Sequence, residues 1–338
     1  MSKTITAGWS NFIAGLLVGV LLASGGFAWL RQYHPDGSNS TTTILKLGHG
    51  LPTDHPVHDA MQFMADRVKQ LSGDQLEISI YPAGMIGSEA ECLKQVQNGQ
   101  LDMSKTSTAV LESSVPEMAA LSAPYVFRDA DHFWKTLNGH VGRELAEKPK
   151  GMRGIAYFDS GERSFYTTKK PIYKPDDLKG LKIRTQQSRS AMDMVSDLGG
   201  APTPIPWGEL YTALSQGTVD GAENNLPSFD TGRHMEVCKY FSETGHVRVP
   251  DMLVISNATW EKLTPQQRAW LEEAAAEATE YQKKLWAEAE ELSRRKAEDA
   301  GVQFITVNRD DFAAKLIPTW ENYEPEVKKY IHEIEEVK

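Results

Sequence analysis

Cysteine is scarce in this chain of 338 residues: two occur, Cys92 and Cys238, far apart. Two are too few for a disulfide scaffold or a zinc ribbon, so they are either free thiols or one bridge. Blocks of basic residues are missing too, and the net charge is −10. With no basic patch interleaved with aromatics, nucleic acid is not expected as a partner. The sequence has no glycine-rich phosphate loop, no nucleophile elbow and no zinc-protease signature, which removes the usual signs of nucleotide, serine-hydrolase and metalloprotease chemistry. Neither a metal nor a cofactor is expected.

Charge is also absent from one local stretch, Phe12 to Leu30, which is rich in Leu, Val, Gly and Ala and lies after Lys3. The run reads as an export signal, with small residues at Ala23-Ser24-Gly25-Gly26 and Ala28 for cleavage. At about 20 residues it is also long enough to span a bilayer uncut. Residues 1–31 are therefore expected to be a signal peptide or signal anchor. No cysteine comes after it for a lipid anchor, and membrane contact is expected only through this segment if it is not cleaved. Residues 32–43 are polar and read as a linker. The folded part is then expected to work outside the cytoplasm.

Beyond the linker, strand and helix alternate. Ile44–Gly48 and Leu76–Ile80 have strand periodicity, and Val57, Ala60, Met61, Met64, Val68 and Leu71 share one helical face,. Ser88 and Glu91 have capping-box spacing. Gly154–Phe158 is a further strand. The stretch from Lys179 to Asn225 is the most informative. It reads as a strand ending at Arg184, a helix from Ser188 to Gly199-Gly200, a Pro-rich extended piece, a helix from Gly208 to Gln216 and a strand from Val219 to Ala222. Strand–helix alternation indicates an α/β fold, in which ligands sit at the carboxyl ends of strands. Later, Thr264-Pro265-x-Gln267 opens a helix that meets no Gly or Pro until Gly301. It should be about 50 Å long, more than one small domain needs. A strand over Val302–Val307 and one last amphipathic helix to about Glu335 complete the pattern.

Several residues invite chemistry. Arg184 and Arg163 lie at strand ends, where a guanidinium fork suits a carboxylate. A surface ion pair is the alternative. His49, His55 and His58 cluster, but their spacing matches no zinc pattern, and capping is the simpler role. Glu91 belongs to the capping box, whereas Glu89 is free to face a cleft. Trp207 and Tyr211 have the character either of a sugar-stacking wall or of core.

The chain resembles the solute-binding proteins of tripartite ATP-independent periplasmic (TRAP) transporters, of the DctP type. The resemblance rests on Lys-Pro-Asp-Asp-Leu-Lys-Gly-Leu-Lys-Ile-Arg184, on Gly-Ala-Pro-Thr-Pro-Ile-Pro-Trp207-Gly-Glu-Leu-Tyr-Thr-Ala-Leu, and on Gly-Thr-Val-Asp-Gly-Ala-Glu-Asn224. Tyr-Pro-Ala-Gly-Met-Ile-Gly-Ser-Glu89 and Gly-Gln-Leu-Asp-Met match as well, so it covers Ile44 to the C-terminus. Thr185 departs from the more usual Val after the arginine. The resemblance implies a two-lobed periplasmic binding protein fold with an interlobe cleft and a long helix spanning both lobes. The expected division is 44–160 with 249–288 for lobe I, and 161–248 with 289–338 for lobe II. Arg184 then anchors a ligand carboxylate, Arg163 and Asn224 assist, and Trp207 faces the cleft. The Arg163 and Asn224 segments are similar to those of members that bind sugar acids, the hexuronates glucuronate and galacturonate. Candidate hydroxyl partners are His55, Glu89, Lys105, Ser107, Asp159, Asn224 and Asn225. The expected partners are a small organic acid and the TRAP membrane permease, with capture and release and no catalytic residue. A C4-dicarboxylate ligand, with Arg163 as second cation, and an exported uronate-acting enzyme are the alternatives.

Overall fold

The computed structural model describes residues 42–338. The expected signal segment and nearly all of the expected linker lie outside these residues. The linker's last residue, Thr43, already belongs to a strand, where it pairs with Leu76.

The strands are β1 (Thr43–Gly48), β2 (Leu76–Tyr81), β3 (Met103–Ser107), β4 (Met152–Phe158), β5 (Glu162–Thr167), β6 (Lys182–Thr185), β7 (Ala201–Pro204), β8 (Gly221–Asn224), β9 (Tyr240–Arg248), β10 (Asp251–Ser256) and β11 (Gln303–Ile305). They form two mixed sheets, ordered β2-β1-β3-β10-β4 and β11-β9-β5-β8-β6-β7. Each sheet anchors one lobe. The chain passes from the first sheet to the second between β4 and β5 and returns between β9 and β10.

Helices cover the sheets: α1 (Pro56–Ser72), α2 (Glu89–Gln97), α3 (Thr108–Leu111), α4 (Ala130–Asn138), α5 (His140–Glu147), α6 (Arg189–Asp197), α7 (Trp207–Ser215), α8 (Leu226–Thr231), α9 (Asn257–Lys262), α10 (Pro265–Asp299), α11 (Arg309–Leu316) and α12 (Pro325–Glu335). Local chemistry sets their starts. Ser88 and Glu91 form the capping box of α2, and Thr264 with Gln267 form that of α10, each satisfying otherwise orphaned backbone N–H groups. His55 caps α1 by accepting from Val57 N.

The long helix α10 spans both lobes. Leu271, Ala274, Ala275, Ala278 and Trp286 bury in the first lobe with Val57, Met61, Met64 and Val68 of α1. Farther along, Ala297 enters the second lobe's core with Phe241 and Val302. Residues after Arg309 depart from the expected single helix. Pro318 and Pro325 interrupt it, leaving α11, a 3-10 turn over Ile317–Asn322, and α12, because proline cannot donate in a helix interior. The expected assignment of 289–338 to lobe II fails at this end. Val327, Tyr330, Ile331 and Ile334 of α12 pack with Cys92, Leu121 and Phe133 of the first lobe. Cys92 and Cys238 are free and buried. Burial raises their thiols to about 11 and about 12.

Candidate functional site

A cleft with a cavity volume of about 380 Å³ opens between the two sheets. The second sheet contributes the carboxyl ends of β6 and β8, the first sheet the end of β3 and the start of β10, and α2 and α7 contribute their first turns. Nine of the ten expected residues line it: His55, Glu89, Lys105, Ser107, Arg163, Arg184, Trp207, Asn224 and Asn225.

Arg184 is 3 % exposed. Its Nε donates to Ile205 O at 2.8 Å. No carboxylate pairs with it, and its terminal nitrogens have no protein acceptor, among the described residues. Burial lowers its pKa to about 10, so it stays charged at neutral pH. A buried charge without a partner is costly, and here the unused donors border the cleft. An anion in the cleft would complete this arrangement.

Arg163 is differently employed. Antiparallel pairing of β5 with β8 sets Ser164 opposite Asn224 and Phe165 opposite Glu223. Arg163 then donates from Nε to Glu223 Oε2 at 2.5 Å and from Nη2 to Glu223 Oε1 at 2.8 Å. Its Nη1 donates to Asn224 Oδ1 at 2.6 Å. Burial opposes charge on Glu223, but Arg163 and His246 outweigh it and hold the carboxyl at about 2. His246 Nε2 stands 3.5 Å from Glu223 Oε2. Arg163 therefore positions Asn224 and has no free fork for a second carboxylate. Asn224 Oδ1 also accepts from Asn225 N, which leaves its amide N–H groups as donors toward the cleft.

On the first-lobe side, Lys105 Nζ lies 3.1 Å from both Glu89 Oε1 and Asp251 Oδ1. Glu89 Oε1 also accepts from Ser107 N at 2.8 Å. His55 accepts from Val57 N through Nδ1, so its proton sits on Nε2, 3.2 Å from Ser228 Oγ. Burial, then Lys105, hold its pKa well below the ordinary value, and His55 is neutral. His49 is likewise spent, with Nε2 3.0 Å from His58 Nδ1. Trp207 opens α7 with its ring against His234, centroids 5.0 Å apart, and lines the cleft. Tyr211 points elsewhere and donates to Glu236 at 2.7 Å.

Asp159 is a correction. It does not line the cleft. Its carboxylate pairs with Arg248, Oδ1 to Nε at 3.1 Å and Oδ2 to Nη2 at 2.5 Å. Its backbone exchanges hydrogen bonds with Gln282 of α10 at 2.9 and 2.8 Å. It fastens the two crossings and the long helix together. Sequence reasoning missed Asp251, Gln186, Gln187 and Ser228, all lining the cleft. Gln186 and Gln187 come directly after the strand that carries Arg184, and the carboxyl-end rule would have found them.

Residues 47–326 match the family model described as bacterial extracellular solute-binding protein, family 7. A solute-binding protein of Chromohalobacter salexigens is 32 % identical over 84 % of this chain and 87 % of its own. The structure resembles a TRAP periplasmic solute-binding protein of Bradyrhizobium sp. btai1, solved in complex with galacturonate, at TM-score 0.84 and 39 % identity over 86 % of this chain and 99 % of the other. It resembles one of Pseudomonas putida F1, solved with bound D-glucuronate, at TM-score 0.84 and 33 % identity over 87 % and 97 %.

Proposed function

The chain belongs to family 7 of the bacterial extracellular solute-binding proteins, the DctP type of TRAP transport, and on that premise we propose that it captures a hexuronate and delivers it to a membrane permease. The observation that carries this reading is Arg184, a buried guanidinium with no carboxylate partner among the described residues and with unused donors bordering a cleft of about 380 Å³. The galacturonate and glucuronate held by the two solved relatives support the choice of acid. Commitment of Arg163 to Glu223 weighs against a C4-dicarboxylate, which needs a second cation.

Binding is set by the donors and acceptors available. The ligand carboxylate takes Arg184 bidentately, which is shorter and stronger than a neutral hydrogen bond. Asn224 donates to a ligand oxygen. Glu89 and Asp251 accept from ring hydroxyls through oxygens not bonded to Lys105. Trp207 covers a ring face. Closing of the lobes removes water and strengthens each charged contact. The ligand favours the closed form through groups from both sheets, which shifts the population toward it. The crossings at Asp159–Glu162 and Arg248–Pro250 and the length of α10 are the hinge. The closed form then docks on the permease, and no bond is made or broken. Residues 1–31 direct export to the periplasm.

Differential scanning calorimetry of the purified full chain with glucuronate, galacturonate, succinate and 2-ketoglutarate tests this. A hexuronate should raise the melting temperature by several degrees and be recovered unchanged. A rise with succinate and none with either hexuronate would remove the assignment.

A further inference from the structure

The charges around the cleft are unevenly shared between its two sides. On the second-lobe side, Arg163 and Glu223 cancel, and Arg184 remains as an unmatched positive charge. On the first-lobe side, one ammonium meets two carboxylates. Lys105 Nζ is 3.1 Å from Glu89 and 3.1 Å from Asp251, and Lys105 is 5 % exposed. All three residues line the cavity. The cleft thus holds an unmatched cation on its second-lobe side and a cluster carrying one surplus negative charge on its first-lobe side.

That pattern discriminates between acids of the same size. An acid anchored at Arg184 by one carboxylate shares the cavity with Glu89 and Asp251, which line it with Arg184. Hydroxyl groups there find acceptors, because Lys105 occupies Glu89 Oε1 and Asp251 Oδ1 and leaves the other carboxylate oxygens for the ligand. A second carboxylate placed there meets like charge in a poorly solvated site, which costs far more than in water. Lys105 does not rescue it, since its charge is already matched. Burial, reinforced by Glu89 and opposed by Lys105, raises the Asp251 carboxyl. When Asp251 takes up a proton the surplus charge is lost, but Glu89 and Lys105 then cancel and no free cation appears for a second carboxylate.

We infer that the Lys105–Glu89–Asp251 cluster is a charge filter that admits hydroxylated monoacids and excludes diacids of the same carbon skeleton. The filter rests on Arg184 being the carboxylate anchor of the proposed hexuronate site. It gives the cluster a role separate from anchoring, namely choosing between ligands that Arg184 holds equally well.

Isothermal titration of the purified full chain separates the two ideas. The probes are galacturonate with galactarate, and glucuronate with glucarate; each pair shares a six-carbon skeleton and differs at C1. That carbon is an aldehyde closed into a ring hemiacetal in the hexuronate and a second carboxylate on an open chain in the diacid. The Glu89 and Asp251 variants below separate charge from ring shape. At least one hexuronate should bind, and its diacid should bind at least 100-fold more weakly. Glu89→Gln and Asp251→Asn, made singly and checked for folding by circular dichroism, should each narrow that ratio at least tenfold. A hexuronate and its diacid binding within threefold of each other in the unmodified protein overturns the filter and leaves the anchor standing. An unchanged ratio in a folded Glu89→Gln protein also overturns it. Absence of binding by every acid overturns the hexuronate reading itself, and the filter with it.

Discussion

Arg184 and Arg163 are the same residue type, both buried and both beside the cleft, yet their work differs because their neighbours differ. Glu223 and Asn224 occupy the Arg163 fork, whereas Ile205 O takes only one donor of Arg184. Arg184→Lys keeps the charge and loses the planar pair of donors, so hexuronate affinity should fall at least tenfold by calorimetry while the fold persists. A loss of less than threefold would show that charge alone, without the fork, does the anchoring. Arg184 was legible in the sequence because a short alternating strand runs out at it. The employment of Arg163 was not, because Glu223 arrives through β5–β8 pairing, 60 residues along the chain. Asp159 misled for the same reason: a polar residue beside a strand end reads as a ligand group until Arg248, 89 residues away, is seen to hold it.

Among the elements, α10 shows how composition shapes packing. Its Ala274, Ala275 and Ala278 let α1 approach closely and fill the space with Met61 and Met64. Ala278→Leu should overpack this contact and cost about 1–3 kcal/mol. The urea midpoint should drop with the slope unchanged. Leu292→Ala, at a position 46 % exposed on the same helix, should stay within about 0.5 kcal/mol of the parent,. Equal effects at both positions would mean that the alanine stripe does not set the helix spacing. The length, start and end of α10 were readable from its caps and from the lack of interior Gly and Pro. The strand β10 was not read. All six of its residues are buried, and it has neighbours on both edges, so it lacks the alternation that marks a half-exposed strand. Where the last helix packs was also hidden, since an amphipathic face does not name the lobe that covers it.

For the molecule as a whole, acid is the weak side. His49 and His234 are buried, and burial is the first cause that brings each down from 6.5 to about 3. The unfolded chain takes up these protons near pH 6.5 and the folded chain does not, so stability falls as the pH drops from about 6.5 toward 3. Each histidine contributes about 1.4 kcal/mol per pH unit. Glu223, held at about 2 against an ordinary 4.5, adds a further loss below about pH 4.5, again because the unfolded state binds the proton first. Melting temperatures recorded from pH 7 to 4 should decline, and His234→Gln should make the decline shallower. A profile equally steep in that variant would locate the acid sensitivity elsewhere. The return of α12 to the first lobe bears on how the molecule is made. The first lobe's core needs Val327 to Ile334, and the second needs Ala297, Val302, Phe312 and Leu316. Almost the entire chain must be made before the last segment of the Cys92–Phe133 part of the first lobe's core is present, although the part built from Leu45 to Trp286 does not need it. The last helix therefore closes a core whose other members, from Cys92 onward, are made long before it.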